Sequence, residues 1–219
     1  MESQMSEKIF NHYLKTVIDY TVDIRSRTIY LVGEIDQNTV LPTVQYLNLL
    51  SSPKCFKNHL DPINLVISSE GGADDMNLFL YDSIQSCSAP VHTIGSGMVC
   101  SAATLILSCG EKRFGTENLW LMAHKGSVTL SGDDDSVVSQ AVLQSKVSDR
   151  YWKLLARHTT KTALQWYRKA RNSGELWLNA NQLIEWGVID EIIPTRRVFE
   201  PMSNRLIKDL LNEEQEEDQ

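Results

Sequence analysis

The chain has no long apolar run. No stretch approaches the ~20 consecutive apolar residues that a bilayer span requires, so a membrane protein is not expected. It has no basic surplus either. Its 21 Lys and Arg face 28 Asp and Glu, a net charge of −7, and no basic patch suggests a nucleic-acid partner. The phosphate-cradling pattern Gly-x-x-x-x-Gly-Lys-Ser/Thr is absent, so an ATP site of that type is not expected. Cysteine is scarce and scattered. Cys55, Cys87, Cys100 and Cys109 show neither a Cys-x-x-Cys pair nor metal-ligand spacing, and no metal or other cofactor is expected. Cys100 and Cys109 lie in apolar surroundings and are expected to be buried free thiols. The start, Met1-Glu2-Ser3-Gln4, lacks the basic-plus-apolar opening of a secretory signal. Together with unpaired cysteines this points to a reducing, cytoplasmic compartment.

What is present is ordinary globular material, 42% hydrophobic and 22% charged, of a length that suits one sizeable domain. No internal repeat or linker interrupts it. The acidity is concentrated in residues 213–219, where five of seven residues are acids; residues 196–219 are expected to be a solvated tail. Ile9, Tyr13 and Val17 suggest a short amphipathic helix within residues 1–21. Strands are expected near 28–32, 63–68, 91–94 and 118–123, and helices near 38–50 and 74–87. A further helix should follow Ser101, and a long one should run from the Asp133-Asp134-Asp135 cluster to His158. Acids in a first turn complement the helix dipole, so the Asp cluster reads as a helix start rather than a metal site. Strands alternating with helices indicate an α/β layered fold.

Three segments carry chemistry. Gly95 to Gly110 places Ser101 between a glycine-rich turn and a run of small, helix-forming residues. A serine there meets backbone N–H groups without helical partners and the positive end of a helix dipole, a setting that suits a nucleophile whose attack creates an oxyanion. Ser101 as a mere N-cap is the plainer alternative. Upstream, Ile63 to Ser68 reads as a buried strand entering Ser69-Glu70-Gly71-Gly72, and paired glycines let backbone approach a ligand closely. Downstream, an apolar strand ends on His124, where a histidine is well placed as a general base.

These segments resemble the ClpP family, the proteolytic subunits of the Clp protease, in the family's order. Ser69-Glu70-Gly71-Gly72 stands where the family has Ser-Pro-Gly-Gly, and Gly97-Met98-Val99-Cys100-Ser101 where it has Gly-Gln-Ala-Ala-Ser. Met122-Ala123-His124 stands against Met-Ile-His. Trp177-Leu178-Asn179-Ala180 through Gly187-Val188-Ile189-Asp190 is similar to a fourth family segment, and Arg27 to Gly33 to its first core strand. The resemblance spans about Val22 to Pro194. It implies a ClpP/crotonase-like layered sheet-and-helix fold over 22–195, with a strand–helix handle near 125–158 through which two heptameric rings stack. Val137, Val138, Ala141, Val142, Val147 and Trp152 give that handle apolar faces.

The resemblance further implies a serine endopeptidase acting on unfolded polypeptides. Ser101 is the nucleophile, His124 the base, and backbone N–H groups of Gly72 and Ala102 form the oxyanion hole. Counting back from Trp177 puts Glu175 where the family keeps its triad aspartate; Asn172 is the other candidate. An AAA+ Clp unfoldase is the implied partner. Asn64 and Val66 replace aromatic positions of the family's docking pocket, and Glu70 and the bulkier Val99 and Cys100 also depart from its pattern. Cys100, next to Ser101, is a second potential nucleophile, although Ser101 holds the matching position. Two other readings stay open: a catalytically impaired ring subunit that modulates or caps active subunits, and a crotonase-type acyl-CoA enzyme sharing the fold.

Overall fold

A computed structural model describes residues 21–126 and 130–194. Two strands open the chain, β1 (Val22–Asp23) and β2 (Thr28–Ile35), before helix α1 (Gln37–Leu50). Then come β3 (Ile63–Gly72), α2 (Asp74–Gln85), β4 (Val91–Cys100) and α3 (Ala103–Ser108). Next are β5 (Lys112–Thr116), β6 (Trp120–His124) and the long α4 (Asp134–His158). The described chain ends with α5 (Ala163–Ser173), β7 (Glu175–Asn179), α6 (Ala180–Trp186) and β8 (Glu191–Ile193). The expected segment 1–21 and the acidic tail 196–219 lie outside the described residues, apart from Thr21. So does most of the expected extended stretch at Val128-Thr129-Leu130.

The sheet runs β1-β2-β3-β4-β5-β8, and β6 branches from β4 to carry β7 at its far side. β2 through β5 are parallel, as helix crossovers require. Alternation along β2 and β3 buries Ile29, Leu31, Ile35, Ile63, Leu65 and Ile67 beneath the helices, while Tyr30, Val32, Asn64 and Val66 face the other way. All six residues of α3 are buried, so the small-residue run after Ser101 is small and apolar because this helix threads the core.

β3 and β4 run four and six residues beyond their sequence-based ends. The glycines read as turn signals serve a packed sheet instead. A Cβ on Gly95 would come within 2.8 Å of Leu119 and 3.0 Å of Leu107. β4 then continues by pairing Met98–Cys100 with Trp120–Met122.

α4 begins as the Asp cluster predicts. Asp133 is the N-cap, accepting from the Ser136 N–H at 2.8 Å, with Asp134 and Asp135 in the first turn. Its 25 residues span about 38 Å at 1.5 Å rise per residue. Only Trp152, Leu154 and Leu155 are buried; Val138, Ala141, Val142 and Leu143 are exposed. The far end is clasped to the body by Arg113. Its guanidinium bonds the His158 carbonyl, the Gly187 carbonyl at 2.7 Å and both carboxylate oxygens of Asp190. Burial works against ionisation of Asp190, but the hydrogen bonds from Arg113 prevail and hold its carboxyl below the usual range.

Candidate active site

β4 delivers Ser101 to the protein's surface. Cys100 is its last residue and Ser101 turns the chain with φ 54°. That conformation is fixed by backbone bonds. The Ser101 N–H donates to the Met122 carbonyl at 2.6 Å. The Ser101 carbonyl accepts from the Thr104 N–H and from the Tyr151 hydroxyl, each at 3.0 Å. Burial pushes the Tyr151 phenol pKa up, which keeps it a donor. The N-cap of α3 is Ala102, so Ser101 does not cap the helix. Its hydroxyl instead lies 2.6 Å from Nε2 of His124, the last residue of β6. Two strand ends thus present a hydroxyl and an imidazole in hydrogen-bond contact, the geometry by which a base takes a proton from a nucleophile.

Gly71 lies against this turn. A Cβ there would sit 2.7 Å from both the Cys100 carbonyl oxygen and the Ser101 Cβ, and 3.0 Å from the Ala102 nitrogen. At Gly72 a Cβ would collide with Ile35 backbone, 2.3 Å from its carbonyl oxygen. The pair therefore has two separate reasons to be glycine, and Gly71 is the one moulded to Ser101. The Gly-Gly signal was visible in the sequence, but not which glycine met the serine. Tyr151 was missed altogether, because a contact across fifty residues leaves no local pattern.

Glu175 opens β7, which pairs antiparallel with β6 so that Glu175 stands directly opposite His124. Its carboxylate does not bond the imidazole. Oε2 accepts from the Trp177 indole N–H at 3.1 Å, and His124 Nδ1 accepts from the Gly126 N–H at 3.3 Å. Asn172 is exposed on α5 and makes no hydrogen bond to His124 among the described residues. Cys100 is buried. Burial, with smaller contributions from Glu175 and Glu70, pushes its thiol pKa up, against the lowering effect of a bond to the Met122 backbone. Cys100 therefore stays protonated, which disfavours it as a nucleophile. The four cysteines are free, and Cys109, fully desolvated, has its pKa pushed up to about 12.

A cavity of about 690 Å³ lies between Lys125 and Gly126, which follow β6, and Gln144, Asp149, Trp152 and Tyr167 on α4 and α5; neither Ser101 nor His124 lines it. Among the described residues no cluster of His, Cys, Asp or Glu could hold a metal ion, and no helix is long and apolar enough to cross a membrane.

The Clp protease family model matches residues 13–196. The chain is similar to the ATP-dependent Clp protease proteolytic subunit 2 of Treponema denticola. The two are 32% identical over 177 residues, covering 80% of this chain and 85% of the relative. The fold is similar to that of a solved mutant of ClpP1 from Listeria monocytogenes, with a TM-score of 0.69 and 27% identity over 80% of this chain and 95% of that one. A parallel sheet that brings a strand-end serine to a strand-end histidine, the four ordered motifs and these matches agree: the chain belongs to the Clp protease family and is a ClpP-type proteolytic subunit.

Proposed function

We propose that the protein is a serine endopeptidase subunit that encloses its sites in an oligomeric chamber and cleaves unfolded polypeptides and short peptides. The 2.6 Å contact between Ser101 Oγ and His124 Nε2 carries this reading. Ser101 attacks the scissile carbonyl while His124 takes its proton and later delivers it to the leaving amine. Glu175, on the strand opposite, stabilises the imidazolium once its carboxylate reaches Nδ1. Backbone N–H groups of Gly72 and Ala102 bind the oxyanion, where losing one donor costs on the order of 100- to 1000-fold in rate. A fluorophosphonate probe tests the reading. It should label Ser101 in the wild type and nothing in Ser101→Ala; labelling that survives that substitution would move the nucleophile elsewhere.

The exposed Val138, Val142 and Leu143 on α4, with Leu164 on α5, support assembly through the handle. Two stacked heptameric rings are the arrangement that follows from the family. The relative's name supports partnership with a Clp ATPase. On the sheet face Asn64 pairs with Thr28 and His92, and Val66 with Tyr30 and Ile94. Tyr30, 37% exposed, thus supplies an aromatic beside Val66 that the strand itself lacks. The docking pocket is shallower than one with aromatics at 64 and 66, so weak ATP-dependent degradation alongside preserved peptide cleavage is the expected behaviour.

A second reading has its own observation. A His124 Nδ1 that accepts from Gly126, together with a Glu175 bonded elsewhere, also suits a ring subunit of reduced activity. Absence of probe labelling in an assembled ring would favour it.

A further inference from the structure

Three contacts around His124 describe one arrangement. Glu175 is the cross-strand partner of His124, and directly opposed residues of an antiparallel pair have Cβ atoms about 4.5–5.5 Å apart. The carboxylate is therefore within a side-chain rotation of Nδ1. It is drawn along its own strand instead, to the indole N–H of Trp177, two residues on and on the same face. Meanwhile Nδ1 accepts from the Gly126 N–H. While Nδ1 takes that N–H it offers no proton to the carboxylate, and Nε2 faces Ser101 Oγ. The histidine is thus in contact with Ser101 while the carboxylate opposite it is occupied by the indole.

We propose that Trp177 is a positioning residue that latches Glu175 away from His124. Activation requires the Gly126 N–H to leave Nδ1 and the carboxylate to swing from the indole to an Nδ1–H. Trp177 opposes the last step. Glutamate makes the latch workable, because its extra methylene, compared with aspartate, extends the reach along the strand. Met122, the cross-strand partner of Trp177, offers no competing N–H or O–H donor on that face. This inference rests on the reading of Ser101 and His124 as nucleophile and base.

The test uses the assembled full-length protein, a fluorogenic peptide and a fluorophosphonate. Trp177→Phe keeps an aromatic ring and removes the donor. An exposed hydrogen bond to a carboxylate is weak, so kcat should rise about threefold to tenfold. KM should change little, and the inactivation rate should rise in parallel. Trp177→Leu, also without a donor, should do the same. In a Glu175→Ala background neither change should accelerate the enzyme, because Trp177 acts through Glu175. Unchanged or slower turnover in both variants, or equal acceleration in the Glu175→Ala background, would overturn the latch. Ser101→Ala separates the two layers: retained cleavage there sinks the site itself, whereas a dead Ser101→Ala with unaccelerated Trp177 variants sinks only the latch.

Discussion

The two halves of the site are built by different means. On one side Ser101 is held by backbone. Its N–H, its carbonyl and the wholly buried α3 behind it leave no rotamer to choose except the hydroxyl's own. On the other side Glu175 is exposed at the start of β7, a strand that among the described residues pairs only with β6, and one side-chain bond decides where its carboxylate lies. The first half is set by the core and changes only if the core does. The second rests on interactions of the size that water and neighbouring side chains perturb. Placement of Ser101, the proposed nucleophile, should therefore be robust in this protein and placement of the Glu175 carboxylate adjustable.

The comparison can be broken at its rigid end first. Ser101→Ala should lower peptide hydrolysis by at least about 1000-fold while leaving assembly intact, checked by kcat/KM and solution mass. Gly71→Ala should come next. Its Cβ has nowhere to go between the Cys100 carbonyl and Ser101, and φ at this position is 96°. Activity should fall about 100-fold, as when an oriented site loses its alignment, with a lowered Tm; wild-type activity would show that the turn is softer than its contacts imply. At the adjustable end, Glu175→Gln should cost about tenfold to 100-fold, since a neutral amide stabilises imidazolium less well. Asn172→Ala should stay within about twofold, as exposed positions away from such features generally do. Equal mild losses would remove Glu175 from the mechanism. The smallest effect on an intact chain's chemistry should come from Val142→Asp with Leu143→Asp on α4. With the proposed stacking of two rings through α4, these should halve the solution mass while the fold of each subunit, followed by circular dichroism, persists.

Much of the rigid half was legible in the sequence because backbone periodicity writes it. The apolar strand ending on His124, the small residues after Ser101 and the Asp cluster opening α4 each state a local rule that the fold obeys. Glycine misled at β3 and β4. Gly71, Gly95 and Gly97 read as punctuation, yet they lie within strands that continue, two of them closely packed against neighbours. The apolar stripe of α4 and its projection as a handle were legible, but not that Trp152, Leu154 and Leu155 would be the stretch covered by the body. The Trp177–Glu175 bond and the reach of Tyr151 to Ser101 were not legible, because side-chain hydrogen bonds follow from rotamers and tertiary approach rather than from spacing.

The positive φ of Ser101 has a consequence for heat resistance. A side-chain-bearing residue in the left-handed region is disfavoured relative to glycine by about 1–2 kcal/mol, and natural sites of this kind persist because function requires them. Ser101→Gly and Ser101→Ala both lack the hydroxyl and its bond to His124, so comparing them isolates the backbone. The glycine variant should melt about 2–4 °C above the alanine variant for each kcal/mol relieved. An inactive protein that outlasts its equally inactive sibling on heating would mark how much durability the fold gives up to hold a serine at that turn.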